Sequence, residues 1–135
     1  MQKLKPFEKI LLESKNIAVV GLSRSPEKES HKVASYLQER GYDIIPINPS
    51  GETILGKKAC KRITEIRKPI DIVDVFRPAQ ECEEIARQAL KLKPKIVWLQ
   101  LGIENGKAKE ICKKNGIVFV QDKCIKIEHK RLTVF

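Results

Sequence analysis

Five short runs of apolar, β-branched residues recur along the chain, NIAVVGL (16–22), YDIIPIN (42–48), IDIVDVF (70–76), KIVWLQL (95–101) and GIVFV (116–120), with longer charged segments between them. Each run is apolar almost throughout instead of alternating with polar residues, so each reads as a strand covered on both faces. The segments between them carry helical spacing: Ser30 to Arg40, a weaker turn at Ile63–Arg67, Ala79 to Leu92, and Asn105 to Asn115. Parallel strands need crossover connections, and right-handed crossovers lay helices over both faces of a sheet. The pattern therefore predicts an α/β, doubly wound, three-layer fold on a five-stranded parallel sheet.

The punctuation agrees with this assignment. Gly41 and Gly116 follow helical patterns as C-terminal stops, and Pro69 and Pro94 precede the third and fourth runs. Ahead of the first strand, Pro6 to Ser14 places Phe7, Ile10 and Leu11 at helical spacing, which predicts a short helix packed on the sheet. The tail, Arg131 to Phe135, either docks or frays. At 135 residues the chain fits one domain, residues 1–135.

Charge and composition narrow the classes of function. The 27 Lys and Arg against 17 Asp and Glu leave a net charge of +10, which suits either a phosphate-rich partner or a lysine-rich solvated surface. Aromatics are few and not interleaved with basic residues, and no RNA-binding or zinc-finger spacing is present, which argues against nucleic acid. No stretch approaches the roughly 18 apolar residues of a spanning helix, and the opening MQKLKPFEKILLESK mixes charges into its apolar residues; a cytoplasmic protein away from membranes is expected. Cys60, Cys82, Cys112 and Cys124 form no CxxC pair and no zinc-ligand spacing, so they read as reduced thiols.

In an open parallel sheet, ligands bind outside the carboxyl ends of the strands. Those ends carry Gly21-Leu22-Ser23-Arg24-Ser25-Pro26, Asn48-Pro49-Ser50-Gly51, Phe76-Arg77-Pro78, Gln100-Leu101-Gly102 and Gln121-Asp122-Lys123-Cys124. The first is a candidate phosphate cradle: Gly21 permits a tight turn, Ser23 and Ser25 offer hydroxyls, Arg24 a permanent cation, and Ser30 a cap for the next helix. The alternative for this segment is an ordinary strand-to-helix connection. A dinucleotide fingerprint would need further glycines after Gly21 and an acid at the end of the second strand, where Asn48-Pro49 stands instead. Both departures count against NAD, and the P-loop pattern is absent as well.

Taken in order, GLSRSPEKESHKV, IIPINP, IDIVDVFRP, VWLQLG and VQDKCIKIE closely resemble the small stand-alone coenzyme A-binding proteins, which are similar to the CoA-binding domain of the succinyl-CoA synthetase alpha subunit. The resemblance runs from about Lys15 to Leu132, with VDVFRP and WLQLG its most specific parts. It implies a Rossmann-like domain holding coenzyme A, or an acyl-CoA, across the strand ends. By the same resemblance, Gly21, Ser23, Arg24 and Ser25 match the loop that wraps the pyrophosphate, and Ser30 and Lys32 open its helix. Asn48 and Pro49 match the turn bordering the adenosine, and Phe76, Arg77 and Pro78 the segment walling the same pocket. Gln100, Leu101 and Gly102 match the pantetheine path, and Asp122, Lys123 and Cys124 the last loop, toward the thiol.

The residues themselves leave alternatives beside these roles. Arg77 reads equally as a surface partner of Glu81 or Glu84, Phe76 as core, and Cys124 as a small buried residue sealing its loop. Lys57 and Lys58 are further cations whose loop the sequence does not place. Cys124 is the only cysteine expected in a strand-end loop, so it is the one placed to meet a thiol ligand. Asp71 and Asp74, three apart on a strand, face opposite sides and make a poor acid/base pair, with Asp74 the one expected toward the site. His31 and His129 fall into no catalytic set, so the expectation is binding without turnover. The competing expectation is a nicotinamide-dependent or CoA-transferring enzyme component that needs a partner chain.

Overall fold

The computed structural model describes residues 3–134. Along them run α1 (Pro6–Glu13), β1 (Asn16–Val20), α2 (Glu29–Glu39), β2 (Asp43–Ile47), β3 (Thr53–Ile54), β4 (Lys57–Lys58), β5 (Ile72–Val75), α3 (Cys82–Ala89), β6 (Ile96–Leu99), α4 (Gly106–Lys114), β7 (Val118–Val120) and α5 (Ile125–Thr133). The five apolar runs become one parallel sheet in the order β2-β1-β5-β6-β7. The chain steps from β1 outward to β2, then returns to the other side of β1 as β5, so strand order reverses between β1 and β5. This is the Rossmann-like, doubly wound arrangement.

Alternation along each strand divides the core in two. Ile17, Val19, Ile72, Ile96 and Trp98 face a layer that includes Leu11 of α1, Val33 and Leu37 of α2, and Ile125 of α5. Ala18, Val20, Val73, Val75, Val97 and Leu99 face Ile85 and Ala86 of α3 and Ala108 and Cys112 of α4. The period-2 geometry of a strand sends neighbours to opposite faces, which is why both sets must be apolar. Trp98, wholly buried, packs edge-to-face with Phe7, ring centroids 5.6 Å apart, and donates its indole N–H to the Lys123 carbonyl at 2.8 Å. A buried indole needs such an acceptor, and the bond ties the loop after β7 to the sheet.

Several boundaries differ from the sequence expectation. The strands are shorter than the apolar runs: β1, β2, β5 and β6 end one or two residues before their runs do, leaving those residues to the strand-end loops, and β7 begins two residues into its run at Val118. The helix expected over Ala79 to Leu92 is α3 flanked by tight 3-10 turns at Ala79–Glu81 and Leu90–Leu92, a common form for helix ends. The β3–β4 hairpin was not anticipated; its turn places Leu55 and Gly56 at positive φ. Nor was α5, whose sequence is mostly charged but whose Ile125, His129 and Leu132 recur at helical spacing on the buried side. The tail thus docks as far as Thr133: His129 Nδ1 meets the Tyr36 hydroxyl at 2.8 Å and Arg131 pairs with Glu8 of α1 at 2.5 Å. Phe135 lies outside the described residues. No helix among them is long and apolar enough to cross a membrane.

Candidate functional site

At the end of β1 the chain turns at Gly21, with φ +85°, and its N–H donates to the Ile47 carbonyl at 3.0 Å. Asn48 joins the neighbouring ends, donating from Nδ2 to the Leu22 carbonyl at 2.9 Å and from its backbone N–H to the Cys60 carbonyl at 2.9 Å. That second bond continues a parallel bridge between Ile47 and Cys60, which carries the segment after β4 up beside the end of β2. Lys61, Arg62 and Ile63 arrive with it.

The result is a cavity of about 460 Å³ beside the reversal of strand order. Gly21 and Ser23 from the first loop, and Asn48 and Pro49 from the second, form one wall. Lys61, Arg62 and Ile63 form another, and Arg77, Glu81, Ile85 and Gln88 close it from the third loop and α3. Three cations, backbone turns and aliphatic surface meet here, a composition suited to a phosphorylated ligand with an apolar portion. Arg77 is not free: its Nε and Nη2 donate to the two Glu81 carboxylate oxygens at 3.0 and 2.8 Å. The guanidinium holds the Glu81 carboxyl below its usual range.

Five residues expected at the site, Gly21, Ser23, Asn48, Pro49 and Arg77, thus converge on this cavity. Lys61 and Arg62 were missed; the basic run KKACKR hinted at them, but only the Ile47 bridge places them. Lys57, by contrast, pairs with Asp43 at 3.0 Å, at the opposite end of β2.

The other expected residues lie elsewhere. Arg24 reaches outward, 71% exposed, and pairs with Glu52 at 2.6 Å. Ser25 uses its N–H on the Ser23 hydroxyl at 3.0 Å. Ser30 does not cap α2, because a turn from Ser25 to Lys28 starts the helix earlier and puts Lys28 at the cap position. Ser30 is instead buried in the first turn, its Oγ accepting from the Ser23 N–H at 3.0 Å, so it braces the loop from within. Lys32 lines a separate surface hollow with His31, Tyr36 and Lys126. Phe76 packs on the α1/α2/α5 core, across the sheet from the α3 and α4 layer that borders the cavity, and Pro78 leads into the turn before α3.

The last two loops form a cluster of their own. Leu101 is 65% exposed, and Gly102 donates its N–H to Asp122 Oδ1 at 2.8 Å. Asp122 adopts a left-handed backbone, Lys123 accepts the Trp98 bond, and Cys124 is buried at the start of α5. Among the cysteines, Cys124, Cys82 and Cys112 are buried and Cys60 half-buried; burial raises the Cys82 thiol and pushes Cys112 to about 11.

Asp74 does not face the cavity. It is fully buried in the middle strand, on the face that α1, α2 and α5 cover, where Gln100 Nε2 donates to its Oδ1 at 2.5 Å and Oδ2 has no partner among the described residues. Gln100 in turn accepts from the Ile125 N–H at 3.4 Å, so its side chain links Asp74 to the start of α5. Desolvation pushes the Asp74 carboxyl up to about 7, against the lowering effect of the Gln100 bond. Asp71 lies at the other end of the strand, accepting from the N–H groups of Lys15 and Asn16 at 2.9 Å each.

Comparison with known proteins places this geometry in context. The CoA binding domain family matches residues 15–130. YneT of Bacillus subtilis (strain 168) is 42% identical over 123 residues, 91% of each chain. The solved structure of cell-free ID.343 from Thermus thermophilus has a TM-score of 0.89 at 38% identity, covering 93% of this chain and 96% of that one. The ADP-forming acetate–CoA ligase of Methanocaldococcus jannaschii is 26% identical over 129 residues, 89% of this chain but 18% of the ligase. With a family match over nearly the whole length, a relative of equal extent, and the same fold in a solved structure, the chain belongs to the CoA-binding domain family.

Proposed function

We propose that the protein binds coenzyme A, or an acyl-CoA, at the carboxyl ends of β1, β2 and β5, as a carrier, storage or regulatory module without turnover of its own. The observation that carries this proposal is the cavity in which Lys61, Arg62 and Arg77 surround the turns at Gly21 and Asn48. Coenzyme A presents a 3′-phosphate and a pyrophosphate, which call for fixed cations and backbone donors, together with an adenosine that suits the aliphatic side formed by Ile63 and Ile85. Membership of the family supports the same ligand.

Binding without turnover is supported by the placement of both histidines away from the cavity lining. His31 Nδ1 lies 2.8 Å from the Ser23 carbonyl, and His129 is buried against Tyr36 and Tyr42. Reduced thiols at all four cysteines fit a cytoplasmic setting. Calorimetric titration of ligand-stripped protein with CoA, dephospho-CoA, acetyl-CoA, NAD and NADP at one salt concentration tests the proposal. CoA binding near the micromolar range, about 8 kcal/mol, with NAD silent is the expected result. No CoA binding by heat or by equilibrium dialysis would overturn it.

A second reading, an enzyme component acting with a partner chain, draws on the match to a segment of the ligase. It requires CoA-dependent turnover once a partner is supplied, which the module reading does not.

A further inference from the structure

The strand-end cavity is lined by three cations and a single acid among the described residues. Lys61, Arg62 and Arg77 all line this one space, and Glu81 is paired with Arg77. Its carboxylate takes both Nε and Nη2 of Arg77, the edge of a guanidinium that a phosphate takes when bound through two parallel hydrogen bonds. Glu81 therefore sits where a ligand phosphate would gain most from this arginine.

The two side chains differ in freedom. The Arg77 stem passes over Gly21, its Cδ only 2.8 Å from where a Cβ on that glycine would stand, so the arginine is confined along the cavity wall. Glu81 ends the 3-10 turn leading into α3, and both heads are about half exposed, at 45% for Arg77 and 44% for Glu81. A solvated pair of this kind exchanges partners at little cost, and a phosphate monoester brings more charge and more acceptor oxygens than a carboxylate.

We propose that Glu81 is an exchangeable anion seated in the Arg77 fork, which a phosphate group of the ligand displaces, so that Glu81 sets the affinity of the site by competing with the ligand from within the chain. The proposal rests on the CoA reading of the cavity and adds to it a residue that restrains binding. Ligand loading then swings one carboxylate away from Arg77 at the start of α3, while the arginine exchanges one anion for another.

The test is a double-mutant cycle read by calorimetry with CoA: wild type, Glu81→Gln, Arg77→Met and the double variant, with thermal melts to confirm that each is folded. Glu81→Gln is expected to bind CoA about 3- to 10-fold more tightly than wild type. In the Arg77→Met background the same change is expected to give no gain. Wild-type binding with unchanged or weaker affinity in Glu81→Gln overturns the proposal, as does an equal gain in both backgrounds, which would mean that Glu81 acts through general repulsion and not through the fork. Binding by Glu81→Gln alone supports it in the strongest form. Absence of CoA binding in both wild type and Glu81→Gln overturns the CoA reading itself and the displacement with it.

Discussion

The carbonyl oxygen of Phe76 lies 2.6 Å from the point where a Cβ on Gly21 would stand. The ends of β1 and β5 approach so closely there that only a residue without a side chain fits, and the positive φ of Gly21 makes the same demand independently. The glycine is needed for loop-to-loop packing at the reversal of strand order, and through Arg77, for the cavity wall.

Gly21→Ala is therefore expected to destabilise the fold by about 2–4 kcal/mol, combining left-handed backbone cost with overpacking. Gly21→Val should cost more and abolish CoA binding. Urea denaturation checks the first value and calorimetry the second; an alanine variant of wild-type stability would show that the β1 and β5 ends separate easily.

The placement of cations predicts an order of effects. Arg62→Ala is expected to weaken CoA binding about tenfold, the loss of one charge-assisted contact. Arg24→Ala, which removes a solvent-exposed pair with Glu52, should change affinity less than about twofold and stability by under about 0.5 kcal/mol. Titration of the two variants side by side decides whether the pyrophosphate role implied for Arg24 by resemblance holds; a larger loss for Arg24→Ala would return the phosphate to the first loop.

Asp74 makes stability depend on pH in a defined direction. Its carboxyl, pushed up to about 7 by burial, keeps its proton in the fold while the unfolded chain releases it near 4. The folded state therefore binds more protons between those values, and the contribution of Asp74 to stability is full at low pH and lost as pH rises through about 7. Asp74→Asn removes this cost, and at pH 8 the variant is expected to exceed wild type by about 1–3 kcal/mol, with the difference vanishing near pH 4. Urea midpoints across that range provide the check; a constant difference would mean that the carboxyl titrates normally.

The thiols are expected to differ in access. Cys60 is half-buried while Cys82, Cys112 and Cys124 are buried, so a thiol reagent should modify the native protein first at Cys60. Cys124→Ala is expected to leave CoA affinity within about twofold of wild type, because the residue packs against core neighbours and does not line the cavity. Mass spectrometry of partially labelled protein reads the order, and protection of Cys124 by CoA would restore it to the thiol end of the site.

The sequence by itself determined the sheet and the position of its ligand-facing edge. Ile17 to Val20 and Ile96 to Leu99 are apolar at every position, and Ile72 to Val75 at all but Asp74, because strands covered on both faces leave water at every residue, and that desolvation is written locally. Gly21 and Asn48 were legible for the same reason, since a break after such a run marks where the backbone must turn. Only the tertiary structure decided which residues meet across that edge. Lys61 and Arg62 reach the cavity through the pairing of Ile47 with Cys60, Arg77 is taken by Glu81, and Arg24 by Glu52. Asp74 is turned under Gln100 and α5, whose few apolar residues gave too weak a periodic signal against its charges. Periodicity reports that a residue is withdrawn from water, whereas partnership between charges depends on distances set by strand order and loop paths, which no local pattern encodes.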